Sequence, residues 1–322
     1  MEGSMANGSP DLGKASLPDV PQERLAWIFG SSRSGSTWLL RMLADLPHAV
    51  AVDDPHLGHH LGVWRPIPLA WAAAEAEPEL TTLDQVKRSK PGYFFADRFA
   101  AVWRPKLREL IEARFAAQAA GEGEREPLVF VKEPGSQAAE LLLSLFPRSR
   151  LIFLLRDGRD VVDSWIAAYQ DGSWAQQEGA FPLAEEGREA FVRWQASVWA
   201  YRTRLVHAAF RAHDPDRRVL VRYEDLLRYT PQELRRICRA VGIAPDDSEL
   251  ERIAERHDFN RLPRFQKGER SEARSATPGG WRQSLTPAER RAVHEVAGEA
   301  LVESGYITRS ELAAELGTRA AA

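Results

Sequence analysis

The sequence is poor in cysteine and has no long apolar run. Its only cysteine, Cys238, excludes an intramolecular disulfide framework and indicates a reducing compartment. The surrounding stretch ELRRICRAVGI has apolar residues at helical spacing, which predicts that this thiol lies in the core. No run of about 18 apolar residues occurs, and the N-terminus has no basic-then-apolar signal pattern. We therefore expect a cytoplasmic protein with no membrane partner.

The sequence also lacks an excess of positive charge. Lys and Arg number 43 against 46 Asp and Glu, a formal net charge of -3. This balance gives no reason to expect nucleic-acid binding, so any anion site must be built locally. The 322 residues are enough for one large domain. We expect a flexible leader at 1–22, a single domain at 23–310 and a tail at 311–322.

Short apolar segments alternate with helical patterns along the chain. Four strands are predicted, in RLAWIFG, EPLVFVKEP, SRLIFLLRD and RRVLVRYEDL. Repeated β–α units imply a parallel sheet covered by helices on both faces, which is an α/β fold of three layers. Between the first two predicted strands, residues 55–125 are expected to form a helical insertion that partly covers the ligand site. After the last strand, Thr230 is predicted to N-cap a helix that ends before Gly242.

The first predicted strand leads into GSSRSGSTW, a glycine-flanked loop that ends on a helix. Backbone N–H groups at such a helix start bind phosphate. A nucleotide-hydrolysing P-loop carries a lysine directly after its last glycine, but this chain has Ser36 there. Its cation, Arg33, lies two residues before Gly35. The loop therefore predicts an anion site that uses Arg33 and the Thr37 hydroxyl.

Charged residues also follow the second and third predicted strands. Lys132 and Glu133 form either a surface salt bridge or a pair in which the lysine binds a transferred group and the carboxylate takes a proton. Arg156 ends the third strand and Ser164 lies eight residues later, so both can reach one phosphate if the helix folds back. Arginines frame Asp157, which makes an anion pocket a better prediction than a Mg²⁺ site.

A late segment, RFQKGERSEARSATPGGWRQSLTPAE, combines basic residues with glycines and a tryptophan. It is consistent either with a solvated basic loop or, beside the other motifs, with a lid over a nucleotide. LTPAE is predicted to begin the next helix. The residues of interest are Lys267, Arg270, Arg274, Gly279, Gly280, Trp281 and Arg282.

These four motifs, in this order, resemble the sulfotransferases that use 3'-phosphoadenosine-5'-phosphosulfate (PAPS). The resemblance covers residues 27–306. In that family the loop after the first strand binds the 5'-phosphosulfate, and its basic residue occupies the position of Arg33. The resemblance implies a P-loop-like fold, PAPS as donor and 3',5'-adenosine bisphosphate (PAP) as product.

The same resemblance implies roles for individual residues. Arg156 and Ser164 match the pair that holds the 3'-phosphate, and Trp38 matches the aromatic that stacks on adenine near Tyr223. Arg274 is favoured as a further 3'-phosphate ligand, before Lys267 or Arg270. The full donor-binding set implied is Arg33, Ser34, Gly35, Ser36, Thr37, Trp38, Arg156, Ser164, Tyr223, Lys267, Arg270, Arg274, Gly280 and Trp281.

Three candidates stand for the general base. Phenol-type members of the family carry K-T-H after the second strand, whereas this chain has Lys132, Glu133 and a proline. Other branches place an acidic base after the first helix, where AVDDPHLGHH offers Asp53, Asp54 and His56. Asp54 is favoured, with His56 and Glu133 behind it. The histidine pair that follows lacks the carboxylate or cysteine companions of a zinc site, so no metal is expected.

The resemblance implies sulfuryl transfer to a hydroxyl of a small-molecule or carbohydrate acceptor, by in-line attack without a metal. Arg33 and Lys132 would stabilise the bridging oxygen, and the protein would act as a monomer or homodimer. Two rival hypotheses remain. A P-loop kinase or NTPase requires a lysine at position 36 and a Mg²⁺-binding acid, and a non-catalytic nucleotide-binding module requires no base.

Overall fold

A parallel five-stranded sheet forms the centre of the protein in a computed structural model. The structure describes residues 19–61, 63, 67–68, 80–81, 87–173, 175, 183–184, 187–261 and 277–317. The strands of this sheet, in the spatial order β2-β5-β1-β6-β7, are β1 (Leu25–Phe29), β2 (Ala49–Asp53), β5 (Leu128–Lys132), β6 (Arg150–Leu155) and β7 (Arg218–Arg222). A separate antiparallel pair consists of β3 (Ile67–Pro68) and β4 (Leu80–Thr81).

Helices surround this sheet. In the described part of the chain, the helices before β7 are α1 (Ser36–Ala44), α2 (Leu57–His60), α3 (Ala100–Gly121), α4 (Ala139–Leu145), α5 (Gly158–Ala168) and α6 (Arg188–Ala212). Those after β7 are α7 (Tyr223–Arg228), α8 (Thr230–Val241), α9 (Asp247–Arg256), α10 (Trp281–Ser284), α11 (Pro287–Glu303) and α12 (Arg309–Leu316). Single 3-10 turns lie at Gln22–Arg24, Asp97–Phe99, Ser136–Ala138, Pro215–Arg217 and Phe259–Arg261.

The continuous apolar strands are buried on both faces, as expected of a parallel sheet covered by two helical layers. Alternate residues of β1 belong to two different core clusters: Trp27 packs in one and Ile28 in the other. Helices α3, α6 and α11 cover the first face, and α1 and α8 cover the second. The predicted α/β three-layer class is confirmed. Cys238 is buried in the second cluster, where desolvation raises its pKa to about 12.

Two details of the predicted sheet were wrong. The sheet has five strands instead of four, because β2 is an edge strand that pairs with β5. Its buried valines, Val50 and Val52, alternate with small alanines, which are depleted in strands, so HAVAVD is a weaker strand signal than the other segments. The last predicted strand also ends earlier than RRVLVRYEDL suggests, since β7 stops at Arg222 and helix α7 follows at once.

The predicted N-cap of α8 was wrong as well. Thr230 is the first residue of the helix, Tyr229 precedes it as the cap residue, and Pro231 lies in the first turn. The Thr230 hydroxyl donates to the carbonyl of Leu226 in α7. The side chain is therefore bonded to the preceding helix instead of capping the first N–H groups of α8. The C-terminal signal was confirmed, because Gly242 adopts a left-handed conformation (φ 82°) directly after the helix.

Helix α12 packs against α11 at the C-terminal end of the described residues. The predicted boundary at residue 310 falls inside α12, whose Leu312 is buried. A Cβ at Gly298 would lie 2.7 Å from the Leu312 side chain, so the glycine allows α12 to pack closely on α11. Thr308 and Glu311 form a capping box at the start of α12. Within the described ranges, no helix has the length and apolar character needed to cross a bilayer.

Candidate active site

The loop between β1 and α1 lies at the carboxyl edge of the sheet, where open α/β folds bind ligands. Gly35 has a φ of 91°, and a Cβ there would lie 2.7 Å from the ring of Tyr223, so only glycine fits. Because glycine supplies no capping side chain, the first N–H groups of α1 are left for a ligand. Ser34 Oγ is buried and has no hydrogen-bond partner within the described part of the chain. The loop thus presents unsatisfied donors to an anion.

Arginine and serine side chains from two later segments meet this loop. Arg33 Nε donates to Ser164 Oγ over 3.2 Å, which joins the loop to helix α5. Arg156 follows β6 and donates from Nη1 to the carbonyl of Arg33 over 2.8 Å. Its guanidinium carbon lies 4.4 Å from the centre of the Tyr223 ring, and its buried Nε has no partner among the described residues. Two guanidinium groups and a hydroxyl therefore converge on the β1–β6 side of the site.

A lysine–carboxylate cluster occupies the β2–β5 side. Lys132 is 6% exposed at the end of β5, and its Nζ lies 2.7 Å from Thr37 Oγ1 at the start of α1. The same nitrogen lies 2.7 Å from Asp53 Oδ1 and 3.0 Å from Asp54 Oδ2. Residue 53 pairs with residue 132 in the sheet, so strand register brings these charges together. Both carboxylates stay about half exposed, with side chains 53% and 43% accessible.

Glu133 has a different environment from its neighbour in the sequence. The residue is 2% exposed, and its carboxylate accepts the N–H groups of Leu57 at 2.9 Å, Gly58 at 3.4 Å and Gly135 at 3.0 Å. Burial raises the pKa of Glu133, while these three hydrogen bonds and the charge of His56 oppose the increase. Glu133 thus ties the first turn of α2 to the end of β5.

The segment that carries the other two candidate bases is conformationally constrained. Asp54 has a φ of 46° and His56 a φ of 52°, both in the left-handed region that few non-glycine residues adopt. The N–H of Asp54 donates to the carbonyl of Lys132 over 3.1 Å. These constraints direct the chain from β2 into α2, beside the end of β5.

Aromatic residues line the side of the loop away from the carboxylates. Trp38 on α1 and Tyr223 at the start of α7 meet edge to face, with ring centres 6.1 Å apart. The Trp38 indole N–H donates to the carbonyl of His257 over 2.9 Å, which fixes the ring. Trp281 is buried at the start of α10, where the guanidinium of Arg159 lies 4.2 Å from its ring centre. The predicted ligands Lys267, Arg270 and Arg274 lie outside the described residues.

The hydrogen bonds of the Asp157 carboxylate are made within the start of helix α5. Its carboxylate accepts the backbone N–H of Arg159 at 2.9 Å and caps helix α5. The same carboxylate takes Arg159 Nε at 2.9 Å and Nη2 at 2.8 Å. Such a paired carboxylate has little remaining capacity for Mg²⁺. Asp157, the acid that follows β6, therefore does not fit the Mg²⁺-binding carboxylate that a kinase-type site needs.

Sequence reasoning missed two polar residues that contact the site. Arg202, on α6, donates from Nη1 to Ser32 Oγ at 3.0 Å and from Nε to Gln137 Oε1 at 3.1 Å. It bridges the loop after β1 and the turn after β5, yet nothing in its helical context distinguishes it from a surface arginine. Asp160, on α5, accepts the N–H groups of Gly279 and Trp281. Its position between Arg156 and Ser164 in the sequence is the only signal that could have indicated it.

Comparisons with known proteins indicate a family and a fold. A protein-family model described as "Sulfotransferase family" matches residues 26–247. A search of curated protein sequences gave no significant match. Among solved structures, mouse sulfotransferase SULT7A1 complexed with PAP is 13% identical, with 90% of this chain and 88% of that chain covered and a TM-score of 0.55. Sulfotransferase STF9 from Mycobacterium avium is 16% identical, with 88% and 77% covered and a TM-score of 0.51. At these identities the two structures show a shared fold.

Proposed function

Since the chain belongs to the sulfotransferase family, we propose that it transfers a sulfuryl group from PAPS to a hydroxyl of a small-molecule or carbohydrate acceptor. The observation that carries the proposal is the division of one sheet edge into two halves. Arg33, Arg156 and Ser164 converge on one side of the glycine loop, and Lys132 with two carboxylates lies on the other. The first half suits the phosphates of a donor, and the second suits an acceptor hydroxyl that must lose a proton.

The donor half fits a nucleotide with separate 5'- and 3'-phosphates. The unsatisfied Ser34 hydroxyl and the N–H groups at the start of α1 suit the 5'-phosphosulfate, with Arg33 adding charge. The unpaired Nε of Arg156 and the Ser164 hydroxyl suit the 3'-phosphate. The edge of the paired Trp38 and Tyr223 rings offers an aromatic surface for adenine. The mouse sulfotransferase of similar fold was solved with PAP, which supports this choice of donor.

The proposed reaction needs a cation for the leaving oxygen and a base for the acceptor. PAPS supplies an activated sulfuryl group bound to its 5'-phosphate. Attack by the acceptor oxygen forms a new S–O bond and breaks the bond from sulfur to the bridging oxygen, which leaves with PAP. Arg33 and Lys132 stabilise the negative charge that builds on that oxygen. The acceptor proton passes to a carboxylate, for which we propose Asp54.

Exposure and contacts support Asp54 over the other candidates. Its carboxylate is 43% exposed, so an acceptor can reach it, and it lies 3.0 Å from the lysine proposed to stabilise the leaving oxygen. Glu133 is buried and holds three backbone N–H groups, so proton transfer there would disturb the start of α2. His56 begins that turn and ranks between them. Asp53 has the closer contact to Lys132 and serves as its counter-ion.

The kinase or NTPase alternative is less well supported. Position 36 is a serine rather than the lysine that binds β/γ-phosphates. Asp157, the acid at the end of β6, is paired with Arg159. A non-catalytic module is also disfavoured, because nucleotide binding alone gives no role to a buried lysine held between two accessible carboxylates.

Ligand selectivity tests the proposal directly. PAP at about 100 times its Kd stabilises a folded protein by roughly 2.7 kcal/mol, which thermal denaturation detects readily. We expect PAP to raise the Tm far more than ATP or ADP at equal concentration. Preference for ATP would overturn the proposal in favour of a phosphotransferase.

Substitution of the loop cation tests catalysis itself. In Arg33→Ala, sulfuryl transfer from PAPS to a responsive acceptor, followed by mass shift, should fall about 10²-fold or more. Arg41→Ala, at a solvent-exposed position on α1, is the matched control and should keep normal turnover. Equal activity of both variants would contradict the role of Arg33.

A further inference from the structure

We propose that Asp160 is a positioning residue whose buried carboxylate fixes the main chain of Gly279–Trp281 beside the 3'-phosphate site. This inference rests on the proposed function. Asp160 lies in the first turn of α5 and is 2% exposed. Among the described residues its side-chain hydrogen bonds go to Gly279 and Trp281, so its effect on the donor would pass through the segment it holds.

Both oxygens of the Asp160 carboxylate accept hydrogen bonds from that segment. Oδ2 accepts the N–H of Gly279 at 2.7 Å, and Oδ1 accepts the N–H of Trp281 at 3.3 Å. Gly279 has a φ of 79°, which turns its N–H and that of Trp281 towards the same acceptor. The neighbouring Arg159 adds a third point of attachment, with its guanidinium carbon 4.2 Å from the Trp281 ring centre. These contacts join helix α5 to residues 279–281.

Asp160 lies next to the residues proposed to bind the 3'-phosphate. Asp160 and Ser164 are four residues apart on α5 and so share a helix face. The charge of Arg156 acts on the Asp160 carboxyl and opposes the pKa increase that burial causes, while Asp157 adds to that increase. The segment that Asp160 holds is thus linked to the charge of Arg156, and in the sequence it follows closely after Lys267, Arg270 and Arg274.

Loss of the Asp160 carboxylate would change the affinity for PAP in opposite directions, depending on whether the group acts through its charge or by positioning the chain. A negative group near a phosphate site repels the ligand, so removing its charge alone should strengthen PAP binding. A carboxylate that positions the chain does the reverse, because its loss leaves two N–H groups without an acceptor and shifts the segment. Asp160→Asn removes the charge and puts an amide N–H₂ against one of those N–H groups. The sign of the change in affinity therefore separates the two roles.

The experiment measures the affinity of PAP and 5'-AMP by calorimetry for wild type and Asp160→Asn. AMP lacks only the 3'-phosphate, so the Kd of AMP divided by the Kd of PAP reports that group. We expect PAP binding to weaken about ten-fold and AMP binding to stay constant, so that the ratio falls about ten-fold. Glu289→Gln is the matched control, because Glu289 is a buried carboxylate that accepts the Thr286 N–H elsewhere in the fold, and it should leave the ratio unchanged.

A second variant changes the segment that makes these contacts instead of Asp160 itself. It also covers the case in which Asp160→Asn does not fold. Gly279→Ala must adopt a strained φ of 79°, and its Cβ would lie 2.6 Å from the Arg282 guanidinium. It should lower the ratio in the same direction. Stronger PAP binding, an unchanged ratio, or equal losses for PAP and AMP in the folded variants would overturn the inference. Failure of the proposed function is recognised separately, because wild type would then show no preference for PAP over ATP.

Discussion

Replacement of Glu133 by glutamine separates a positioning role from a proton-accepting role for this carboxylate. Glu133 receives three backbone N–H groups, from Leu57, Gly58 and Gly135, at 2.9, 3.4 and 3.0 Å. Glutamine keeps one side-chain oxygen and adds an N–H₂ group, so at least one backbone N–H faces another donor. The substitution therefore disturbs the link between β5 and α2 while the shape of the side chain hardly changes.

The expected loss of stability follows from that mismatch. A buried N–H without an acceptor costs about 1–3 kcal/mol, and we expect the free energy of unfolding from urea titration to fall by that amount. Burial raises the pKa of Glu133, so its folded-state charge carries a desolvation cost that glutamine avoids. Because its pKa in the folded state lies above the unfolded value of 4.5, Glu133 stabilises the fold below pH 4.5. This contribution is lost as the pH rises through the folded-state pKa. The deficit of the variant should thus be largest in acid.

The pH–rate profile gives the decisive reading for Glu133→Gln. If the residue only positions the segment from Asp54 to Gly58, kcat falls roughly ten-fold and the acidic limb of the profile stays, because the true base still titrates. If Glu133 is the base, kcat falls about 10²–10⁴-fold and the acidic limb disappears. Loss of that limb at unchanged stability would refute the positioning argument. Glu140→Gln, at an exposed position on α4, should change neither property.

Three further predictions concern the base, the loop and the response to acid. Asp54→Asn should lower kcat about 10²-fold or more while the free energy of unfolding changes by less than about 1 kcal/mol, because its ion pair is half exposed; Asp53→Asn is the kinetic control, and equal losses would contradict the assignment. Gly35→Ala should destabilise the fold by about 1–3 kcal/mol and weaken PAP binding in calorimetry, since a Cβ would meet the Tyr223 ring at 2.7 Å; normal PAP affinity would argue against a donor site at this loop. Burial lowers the pKa of His207, His213 and His294 below 6.5, so the free energy of unfolding should fall as pH drops below 6.5, where the unfolded chain binds more protons. His294→Leu should flatten this slope in urea titrations at several pH values, and an unchanged slope would exclude a contribution from this residue.

Much of the fold was predictable because the signals are local. The strands β1, β5 and β6 are continuous apolar runs, and parallel strands buried on both faces need such runs. Strand β2 was missed because half of its short apolar stretch AVAV is alanine, a residue depleted in strands. Thr230 was misread as a cap because the preceding helix α7, which takes its hydroxyl, was itself read as strand.

The candidate site was predictable to a different degree on each side. Arg33, Arg156 and Ser164 were found in motifs beside glycines or strand ends, where sequence spacing carries information. The partners of Lys132 could not be found in this way, because Asp53 and Asp54 reach it through the pairing of β2 with β5 across about 80 residues of chain. Arg202 gave no signal, since only the packing of α6 beside the sheet brings it to Ser32 and Gln137.

The sequence by itself determined the layered α/β architecture, the glycine loop with its displaced cation, and the residue types available for phosphate. Those properties depend on hydrophobic period, backbone freedom at glycine and charge at fixed spacing, all of which act over a few residues. Only the tertiary structure decided that Glu133 is an anchor, that Asp54 is accessible beside Lys132, and that Asp160 holds residues 279–281. Burial and hydrogen bonding decide the chemistry of a carboxylate, and both are set by segments far away in the chain.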